Sequence, residues 1–449
     1  MTAASQISMS ARHLGYTRGG PDVPVESLKI TNELLQKNHD ELHIFFRDMN
    51  GHNHLVHNLF TRLALGATPE QLRTAFNDDL PTQRGIPSLD QDVVDKMHDD
   101  DFFSERITKI NHYNNFMVFF EKEIASKGWQ TVVNQYIFSK SRVAEALLPL
   151  MYDGAYHPII HLGLGVEFEQ PAVIAEALAQ AAAHDSFDTD WFFQSAEQGA
   201  LESQSGASPS SSESTLLELA RETAQDNTIR DAARTPGLIG TMKMKKAIYP
   251  KAGKQLLSLA SRFRVTKETL KQKTAEMVNF CAYLAGCAQR RDRATKVDFF
   301  FMHCVTSSLC LSVLAQQPWI DIADRVRLIE WKGRLDLAWY VTCGVPDLDL
   351  DHVKTYQAGV ERGWDDIFAL VSDQHDDGHV AKFVRALKHG EDICQQFEDG
   401  DASKAFPIRG DMWQVIARMA YDSTLNLPPP AKWVIMAGMD QAWVSVPEK

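Results

Sequence analysis

Histidine is the residue type with the clearest chemical potential in this chain, because 16 of its 449 residues are histidines and many of them cluster. Four short segments contain these clusters: HNHLVH at 52–57, YHPIIHLGLG at 156–165, FFFMHCVTSSLCL at 299–311 and HDDGHVAK at 375–382. Imidazole-rich sites suit iron, zinc, copper or nickel rather than magnesium or calcium. If the fold brings the four segments together, they predict a transition-metal site built on helices.

Each of the first three segments also has an ordinary structural interpretation. A helix would place His54 and His57 one turn apart on nearly the same face, which is a ligand spacing, but such a pair can equally cap the helix or bond to backbone. His157 precedes a proline, and His161 and His303 lie in otherwise apolar sequence. A single histidine on an apolar face is more often a core residue with hydrogen-bond partners than a metal ligand.

The fourth segment is the most specific of the four. His375, His379 and Lys382 follow one another at i, i+4 and i+7, which predicts one stripe of a helix. The two histidines have the spacing of zinc-binding helices, but Asp-Asp-Gly lies between them, so the HEXXH motif of metalloproteases is absent. On a helix, the long side chain of Lys382 would lean back toward His379 and whatever it binds.

Lys382 is the unusual member of this set, because a free ammonium beside a divalent cation is electrostatically unfavourable. A lysine at a metal must be displaced, deprotonated or converted by CO₂ into a carbamate, whose oxygen can serve as a ligand. The ordinary alternative is an ion pair on a solvated helix face with one of three nearby carboxylates: Asp376, Asp377 or Glu391. The residues alone leave both interpretations open.

The composition limits the classes of function. Hydrophobic residues make up 44% of the chain and charged residues 23%, as in ordinary globular proteins, and a net charge of −13 disfavours a nucleic-acid partner. The six cysteines form no CxxC pair, which indicates free thiols in a reducing compartment. Because neither a secretory signal nor an apolar run of about 18 residues is present, we expect a cytoplasmic protein without a membrane span.

Helical periodicity recurs along the chain while period-two strand patterns are almost absent, so the predicted fold class is all-α. The helix signals are at 29–47, 104–126, 130–151, 171–183, 267–288, 298–317, 321–341, 353–371, 377–389 and 411–422. The polar tract ESQSGASPSSSES at 202–214 predicts a flexible surface loop near 200–216. Because the histidine segments lie on both sides of this loop, we expect one compact multi-helix domain over residues 1–449.

The histidine segments also resemble a known family, the questin oxidase-like proteins of fungal aromatic polyketide pathways. The resemblance rests on HNHLVHNLFTRLALGA (52–67), YDGAYHPIIHLGLGVEF (152–168), the DN-x-x-RD pattern at 226–231, FFFMHCVTSSL (299–309) and HDDGHVAKFVRAL (375–387). Several ordered motifs in one chain are far more specific than any of them alone.

The resemblance implies an oxygenase. Members of the family open the central ring of anthraquinones by oxidative C–C bond cleavage, and the family includes non-heme iron dioxygenases whose metal is held by four histidines and a carboxylated lysine. Carried over motif by motif, the resemblance implies Fe(II) as the metal, O₂ as co-substrate and a small anthraquinone as substrate. It also implies a CO₂-derived carbamate on Lys382. The implied metal ligands are His57, His161, His303, His379 and Lys382, with His54, His157 and His375 as second choices or as partners of the ligands. Within this set, Lys382 and His379 are the implied catalytic residues.

Three alternatives stay open on the sequence. A Baeyer–Villiger-type questin oxidase without bound metal would use NADPH, although GLGVEF at 163–168 lacks the third glycine and the strand–turn–helix context of a dinucleotide fingerprint. A zinc or manganese hydrolase with a bridging carbamate would need the HNH at 52–54 at a strand end, whereas we predict a helical context there. A non-catalytic helical scaffold would leave the histidines with structural roles only.

Overall fold

The computed structural model describes residues 3–19, 23–48, 51–205, 214–359 and 362–449. The α-helices in chain order are α1 (Val25–Glu41), α2 (Leu55–Ala64), α3 (Pro69–Asp79), α4 (Gln91–Lys96), α5 (Asp100–Ser104), α6 (Tyr113–Lys127), α7 (Trp129–Val133), α8 (Arg142–Leu150), α9 (Asp153–Glu167), α10 (Pro171–Ala183), α11 (Thr189–Ser205), α12 (Leu216–Gln225), α13 (Asn227–Ala233), α14 (Gly240–Lys243), α15 (Tyr249–Ala260), α16 (Leu270–Cys287), α17 (Phe299–Ala315), α18 (Ile322–Thr342), α19 (Leu350–Thr355), α20 (Trp364–Val371), α21 (His379–Cys394), α22 (Met412–Thr424) and α23 (Pro429–Lys432). Short π-helical segments lie at Asn134–Phe138 and Met244–Ile248. Within the described ranges, extended pairing is limited to four isolated bridges, so the all-α prediction is confirmed.

The contacts of the chain divide it into two compact units. The first contains Met1–Ser186, Gln316–Ile320 and Phe368–Arg385, and the second contains Phe187–Ala315, Asp321–Ile367 and Ala386–Lys449. The expectation of a single domain over residues 1–449 stays a prediction. None of the helices in the described part of the chain combines the length and the apolar character needed to cross a lipid bilayer.

The first unit is organised around α10. This helix begins at Pro171, whose fixed φ suits a first helical position, and continues through alanines, which have the highest helix propensity. Their small side chains allow α6 and α9 to pack closely against it. Nearly every residue of α10 is buried, including the carboxylate of Glu176, so this helix brings one acidic group into the interior of the unit.

The core of the second unit is formed by α16, α17 and α18, which pack against one another. Helix α17 is apolar on all sides and is buried from Phe301 to Ala315. In α18, Lys332 and Asp336 form a fully buried ion pair one turn apart, which is the arrangement that buried charges require. All six cysteines of the chain are buried and free of disulfides, as the sequence predicts.

Several helices are shorter than the sequence pattern predicts. Helix α6 begins at Tyr113, well after residue 104, because Thr108 adopts a left-handed φ of 67° that no α-helix can contain. Helix α1 ends at Glu41, and the chain then forms isolated bridges through Leu42 and Phe45. The predicted helix at 353–371 consists of two helices, α19 and α20.

The predicted loop near 200–216 begins too early. Helix α11 continues to Ser205, and α12 begins at Leu216. Thr215 caps α12 through a capping box with Glu218, which fixes that boundary. Positions 206–213 of the predicted loop lie outside the described residues.

Candidate metal centre

The first unit gathers buried histidines from helices that are distant in sequence. Those that concern the site are His39, His52, His54, His57, His157, His161, His184 and His379. They lie on α1, α2, α9 and α21, at the end of α10, and on the segment before α2. Because burial favours the uncharged form of an imidazole, such a cluster offers nitrogen lone pairs in a water-poor environment.

Two local features place the imidazoles of α2 and α9. His54 is the N-cap residue of α2, and His57 lies in its first turn. At the start of α9, three consecutive residues, Gly154, Ala155 and Tyr156, have positive φ, and the regular helix follows after Pro158. Positive φ is strained for alanine and tyrosine, so this turn is held by its surroundings. It leaves His157 and His161 one turn apart in the buried interior.

Nitrogen atoms of these imidazoles face each other in two pairs. His57 Nε2 lies 3.2 Å from His161 Nδ1, and His54 Nε2 lies 2.6 Å from His157 Nε2. The ring of His379 is also close, with its centroid 4.7 Å from that of His54. Facing nitrogens at such distances share a proton in an N–H···N hydrogen bond, or else both point lone pairs at a common cation.

The His57 ring carries a second sign of a ligand site. Its Nδ1 atom is buried and has no hydrogen-bond partner among the described residues. Burial lowers the pKa of His57 well below its ordinary value, and the positive charge of Lys382 lowers it further. His57 is therefore a neutral imidazole, which is the form that a transition metal requires of a ligand, and its ring is not fully occupied by hydrogen bonds within the described residues.

Lys382 lies on α21, three residues after His379, and is buried. Its positive charge lowers the pKa of His57, so the two side chains interact electrostatically in the interior of the unit. An ammonium there opposes a divalent cation by Coulomb repulsion, whereas a carbamate on the same nitrogen attracts one. The ordinary interpretation, an ion pair, keeps its support from Asp377, because the positive charge of Lys382 lowers the pKa of that carboxyl group.

Carboxylates support the histidines from outside the cluster. Glu176 accepts a hydrogen bond from His161 Nε2 at 2.7 Å and one from His39 Nδ1 at 2.6 Å, and His39 Nε2 donates to Glu121 at 2.9 Å. Burial alone would raise the pKa of Glu176, but the bonds from His161 and His39 outweigh it and lower the pKa to about 2. Glu176 is therefore an anion in the interior of the unit.

A second acidic group lies beside His54. Asp377 accepts a hydrogen bond from His54 Nδ1 and interacts with Asp79, which in turn accepts a bond from Asn58 at 2.9 Å. Burial raises the pKa of both aspartates, and the negative charge of Asp377 raises that of Asp79 further. Burial therefore favours the protonated form of these two carboxyl groups, although the positive charge of Lys382 acts in the opposite direction on Asp377.

The structure brings together most of the residues that the sequence predicts. His54, His57, His157, His161, His379 and Lys382 all lie in the buried interior of the first unit. His303 belongs to α17 of the second unit, where it is buried and its Nδ1 donates to the carbonyl oxygen of Phe299 at 2.8 Å. His375 points outward, with a side chain that is 62% exposed and bonded to Asp78.

Two local predictions are wrong. The stripe of His375, His379 and Lys382 on one helix does not exist, because α21 begins only at His379. Asp377 and Gly378 have φ of 62° and 74°, and a left-handed pair ends any helical path through residue 375. The helical context for residues 52–54 is also absent, since His52 forms a bridge with Phe45 and α2 begins after His54.

The carboxylates and several of the buried histidines are not among the residues predicted from the sequence. Glu176 is the only charged residue in PAVIAEALAQAAA, and an acid on an otherwise apolar helix was a signal that could have identified it. His39 lies inside a predicted helix, but nothing in its spacing relates it to Glu121 or Glu176, because these pairings depend on how α1, α6 and α10 pack.

Fold and site together define the class of protein: an all-α protein with a buried, histidine-rich candidate metal centre that carries one lysine and supporting carboxylates. The sequence model of the questin oxidase-like family matches residues 51–387. The chain belongs to this family.

Close relatives cover the chain almost completely. It is 56% identical over 446 residues to the Baeyer-Villiger oxidase mdpL of Emericella nidulans and 46% identical over 446 residues to the Baeyer-Villiger monooxygenase dmxR6 of a Cryptosporiopsis species, with 98% of each chain covered in both cases. It is 42% identical over 447 residues to the questin oxidase of Aspergillus fumigatus, with 100% of both chains covered. These relatives are oxidases and monooxygenases by name.

Proposed function

We propose that this protein is a non-heme iron-dependent dioxygenase that opens a ring of a hydroxyanthraquinone by oxidative C–C bond cleavage in fungal polyketide biosynthesis. The observation that carries the proposal is the buried cluster of imidazoles in the first unit, in which His57 Nε2 faces His161 Nδ1 at 3.2 Å and the positive charge of the buried Lys382 acts on His57. Membership in a family with questin oxidases supports the substrate class.

The donor set fits Fe(II). Two nitrogens bound to one ion at about 2.1 Å each lie about 3 Å apart when the bond angle is near 90°, and His57 Nε2 lies 3.2 Å from His161 Nδ1. His379 bonds through Nδ1 to the carbonyl oxygen of Asp376 at 2.8 Å, which directs its Nε2 atom away from its own backbone. Neutral nitrogens with one anionic oxygen are the ligands that iron takes in oxygenases.

In this proposal His57, His161 and His379 of the first unit hold the metal together with Lys382, while a ligand role for His303 of the second unit stays a prediction from the sequence. The ammonium of Lys382 first loses one proton, and the resulting amine adds to CO₂ and releases a second proton, which leaves a carbamate anion in place of an ammonium cation. His54 and His157 lie beside these ligands as second choices, while His375 is too exposed for a ligand role in this interior.

Iron, when bound, supplies a route for electron transfer from a phenolic substrate to O₂. Without such a route, closed-shell organic molecules do not readily react with O₂. The residues of the chain supply the environment for it. The buried cluster excludes water, the carboxylate of Glu176 orients His161, and the Asp79–Asp377 pair holds a proton next to His54. Such a proton is available to an oxyanion that develops during ring opening.

The names of the relatives favour a second candidate, a Baeyer–Villiger-type oxidase. In the form that the sequence left open, such an enzyme would use NADPH and no bound metal. That reaction inserts one oxygen atom beside a carbonyl, reduces the other to water and consumes one NADPH per turnover. A dioxygenase places both oxygen atoms in the product and needs no stoichiometric reductant. A non-catalytic scaffold has no support from relatives that are all named as enzymes.

Metal content and oxygen incorporation together test the proposal. The full-length protein is purified without air in the presence of Fe(II), its iron is quantified, and it is assayed with a hydroxyanthraquinone under ¹⁸O₂ with and without NADPH. We expect about one iron per chain, two labelled oxygen atoms in the product and no NADPH requirement. Metal-free protein that turns over only with NADPH and incorporates one label would overturn the dioxygenase proposal in favour of the second candidate.

His379→Ala tests the assignment of the site, with His43→Ala as the matched control. His43 is also buried in the first unit, but it stacks on Tyr113 at 5.0 Å and donates no nitrogen to the cluster. We expect the first variant to lose iron and turnover, and the second to keep both.

A further inference from the structure

Glu176 joins two imidazoles that come from different helices. Its side chain is almost fully buried, and its two oxygens accept hydrogen bonds from His161 of α9 at 2.7 Å and from His39 of α1 at 2.6 Å. A carboxylate in an interior is stable only when such partners satisfy it. The position of Glu176 is therefore fixed by both bonds, and the position of His161 is fixed in return.

The bond from His161 to Glu176 determines the tautomer of the imidazole. An ionised carboxylate can only accept, so Nε2 of His161 must carry the hydrogen. In the neutral ring, Nδ1 then carries the lone pair, and this atom faces His57 Nε2 at 3.2 Å. The carboxylate thus directs the basic nitrogen of His161 into the histidine cluster.

His39 and Glu121 hold the carboxylate in place from the other side. His39 donates from both ring nitrogens, to Glu176 and to Glu121, so it is an imidazolium between two carboxylates. Glu121 lies on α6, with a side chain that is 14% exposed. Four side chains on α1, α6, α9 and α10 therefore form one continuous hydrogen-bonded series that ends at His161.

We propose that Glu176 is the positioning residue of His161: it fixes the tautomer that presents Nδ1 to the metal and increases the basicity of that nitrogen, while His39 and Glu121 keep Glu176 oriented. This inference rests on the proposed function, because it requires a metal at His161. It adds three residues, Glu176, His39 and Glu121, to the functional set, and none of them is a ligand.

The first test measures Fe(II) affinity under anaerobic conditions by competition with a chromogenic chelator. Glu176→Gln keeps the shape of the side chain and an acceptor oxygen but removes its charge, and loss of such support typically costs about 10–100-fold in metal affinity. Glu123→Gln is the matched control, because Glu123 is also buried in the first unit but bonds Tyr136 and Lys127. We expect the first variant to bind Fe(II) at least about tenfold more weakly and the control to match the wild type.

The outcomes separate the two proposals. A wild type that binds no Fe(II) contradicts the proposed function itself. If the wild type and a folded Glu176→Gln variant bind Fe(II) with equal affinity, only the role of Glu176 is overturned. If that variant does not fold, Glu121→Gln replaces it, since Glu121 is less buried and acts through His39. We expect a several-fold loss there, and an unchanged affinity would overturn the role of the series.

A second readout needs neither metal nor turnover. In metal-free wild type labelled with ¹⁵N-histidine, the ring-nitrogen shifts report which nitrogen carries the hydrogen, and His161→Gln identifies the signals of His161. We expect the Nε2–H tautomer for His161. A ring protonated on Nδ1 alone would overturn the inference, and so would the doubly protonated imidazolium of a merely structural salt bridge, because it has no lone pair for a metal.

Discussion

Gly378 lies directly against the side chain of Asn58. A Cβ atom on Gly378 would approach the Asn58 Cγ atom to 2.7 Å, which is closer than real Cβ contacts allow. The φ of Gly378 is 74°, and that of the preceding Asp377 is 62°. Asn58 follows His57 in α2, so this contact sets the spacing between α2 and the segment that leads into His379 and Lys382.

We expect Gly378→Ala to destabilise the protein and to reduce its iron content. The left-handed backbone costs an alanine about 1–2 kcal/mol, and the collision with Asn58 adds to this by pushing α21 away from α2. The free energy of unfolding should fall by about 2 kcal/mol or more, as measured by chemical denaturation.

Gly237→Ala is the matched control for Gly378→Ala. Gly237 has a φ of 77°, but no atom lies within 4 Å of a Cβ built there, so it carries the backbone cost without the collision. In Gly237→Ala the free energy of unfolding should fall by only about 1 kcal/mol, and the protein should keep its iron. Equal losses in both variants would mean that the contact with Asn58 has no role.

Arg62 anchors the segment before α21. Its guanidinium donates to the carbonyl oxygens of Ser372 and Gln374 and to Asn58 Oδ1, and the side chain is buried. Arg62→Met would leave these acceptors without a donor, so we expect the free energy of unfolding to fall by about 3 kcal/mol. Arg73→Met on α3, where the side chain is 53% exposed, should change it by less than about 0.5 kcal/mol. A similar small effect in both variants, measured by urea denaturation, would contradict the anchoring role.

His39 predicts a loss of stability at alkaline pH. Burial alone would lower the pKa of His39, but the hydrogen bonds to Glu121 and Glu176 outweigh it and raise the pKa to about 10. The folded state therefore holds this proton more tightly than the unfolded state. The stabilisation is complete below about pH 6.5 and is lost progressively as the pH rises through about 10.

Unfolding measured between pH 7 and pH 10 checks this prediction. The wild type should lose stability on the order of a few kcal/mol across that range, and His39→Gln should remove most of the slope. His43→Gln should leave the slope unchanged, because burial lowers the pKa of His43 to about 3 and the ring stays neutral throughout. A slope that survives in His39→Gln would assign the pH dependence to other groups.

Much of the fold follows from the sequence, because long helices are encoded by local periodicity and propensity. Helix α10 has the predicted bounds of 171–183, and α17 and α18 end within two residues of the predicted positions. The prediction fails where backbone conformation departs from local pattern. Residues 375–378 look helical by histidine spacing, but the packing of Gly378 against Asn58 enforces left-handed conformations that no periodicity reveals.

The candidate site is predictable only in part, because its motifs are local in sequence whereas its supporting contacts depend on how the helices pack. The family resemblance selects His57, His161, His379 and Lys382 as candidates, and all four are buried in the first unit. The support of the site depends on tertiary contacts between helices. Glu176 meets His39 across 137 residues of sequence, and only the packing of α10 on α1 brings them together.

Lys382 gives the last prediction, which concerns CO₂. If its amine carries a carbamate, iron uptake by metal-free protein should be weak in CO₂-free buffer and should recover when bicarbonate is added, because an ammonium repels the metal that a carbamate binds. Lys382→Ala should lose most of its iron in either buffer, and formate or acetate, which can place a carboxylate in the vacated space, should restore part of it. Lys243→Ala is the matched control, because Lys243 is also fully buried but donates to the sulfur atoms of Met436 and Met439 in the second unit. Iron uptake that is independent of CO₂, together with full iron in Lys382→Ala, would exclude the carbamate.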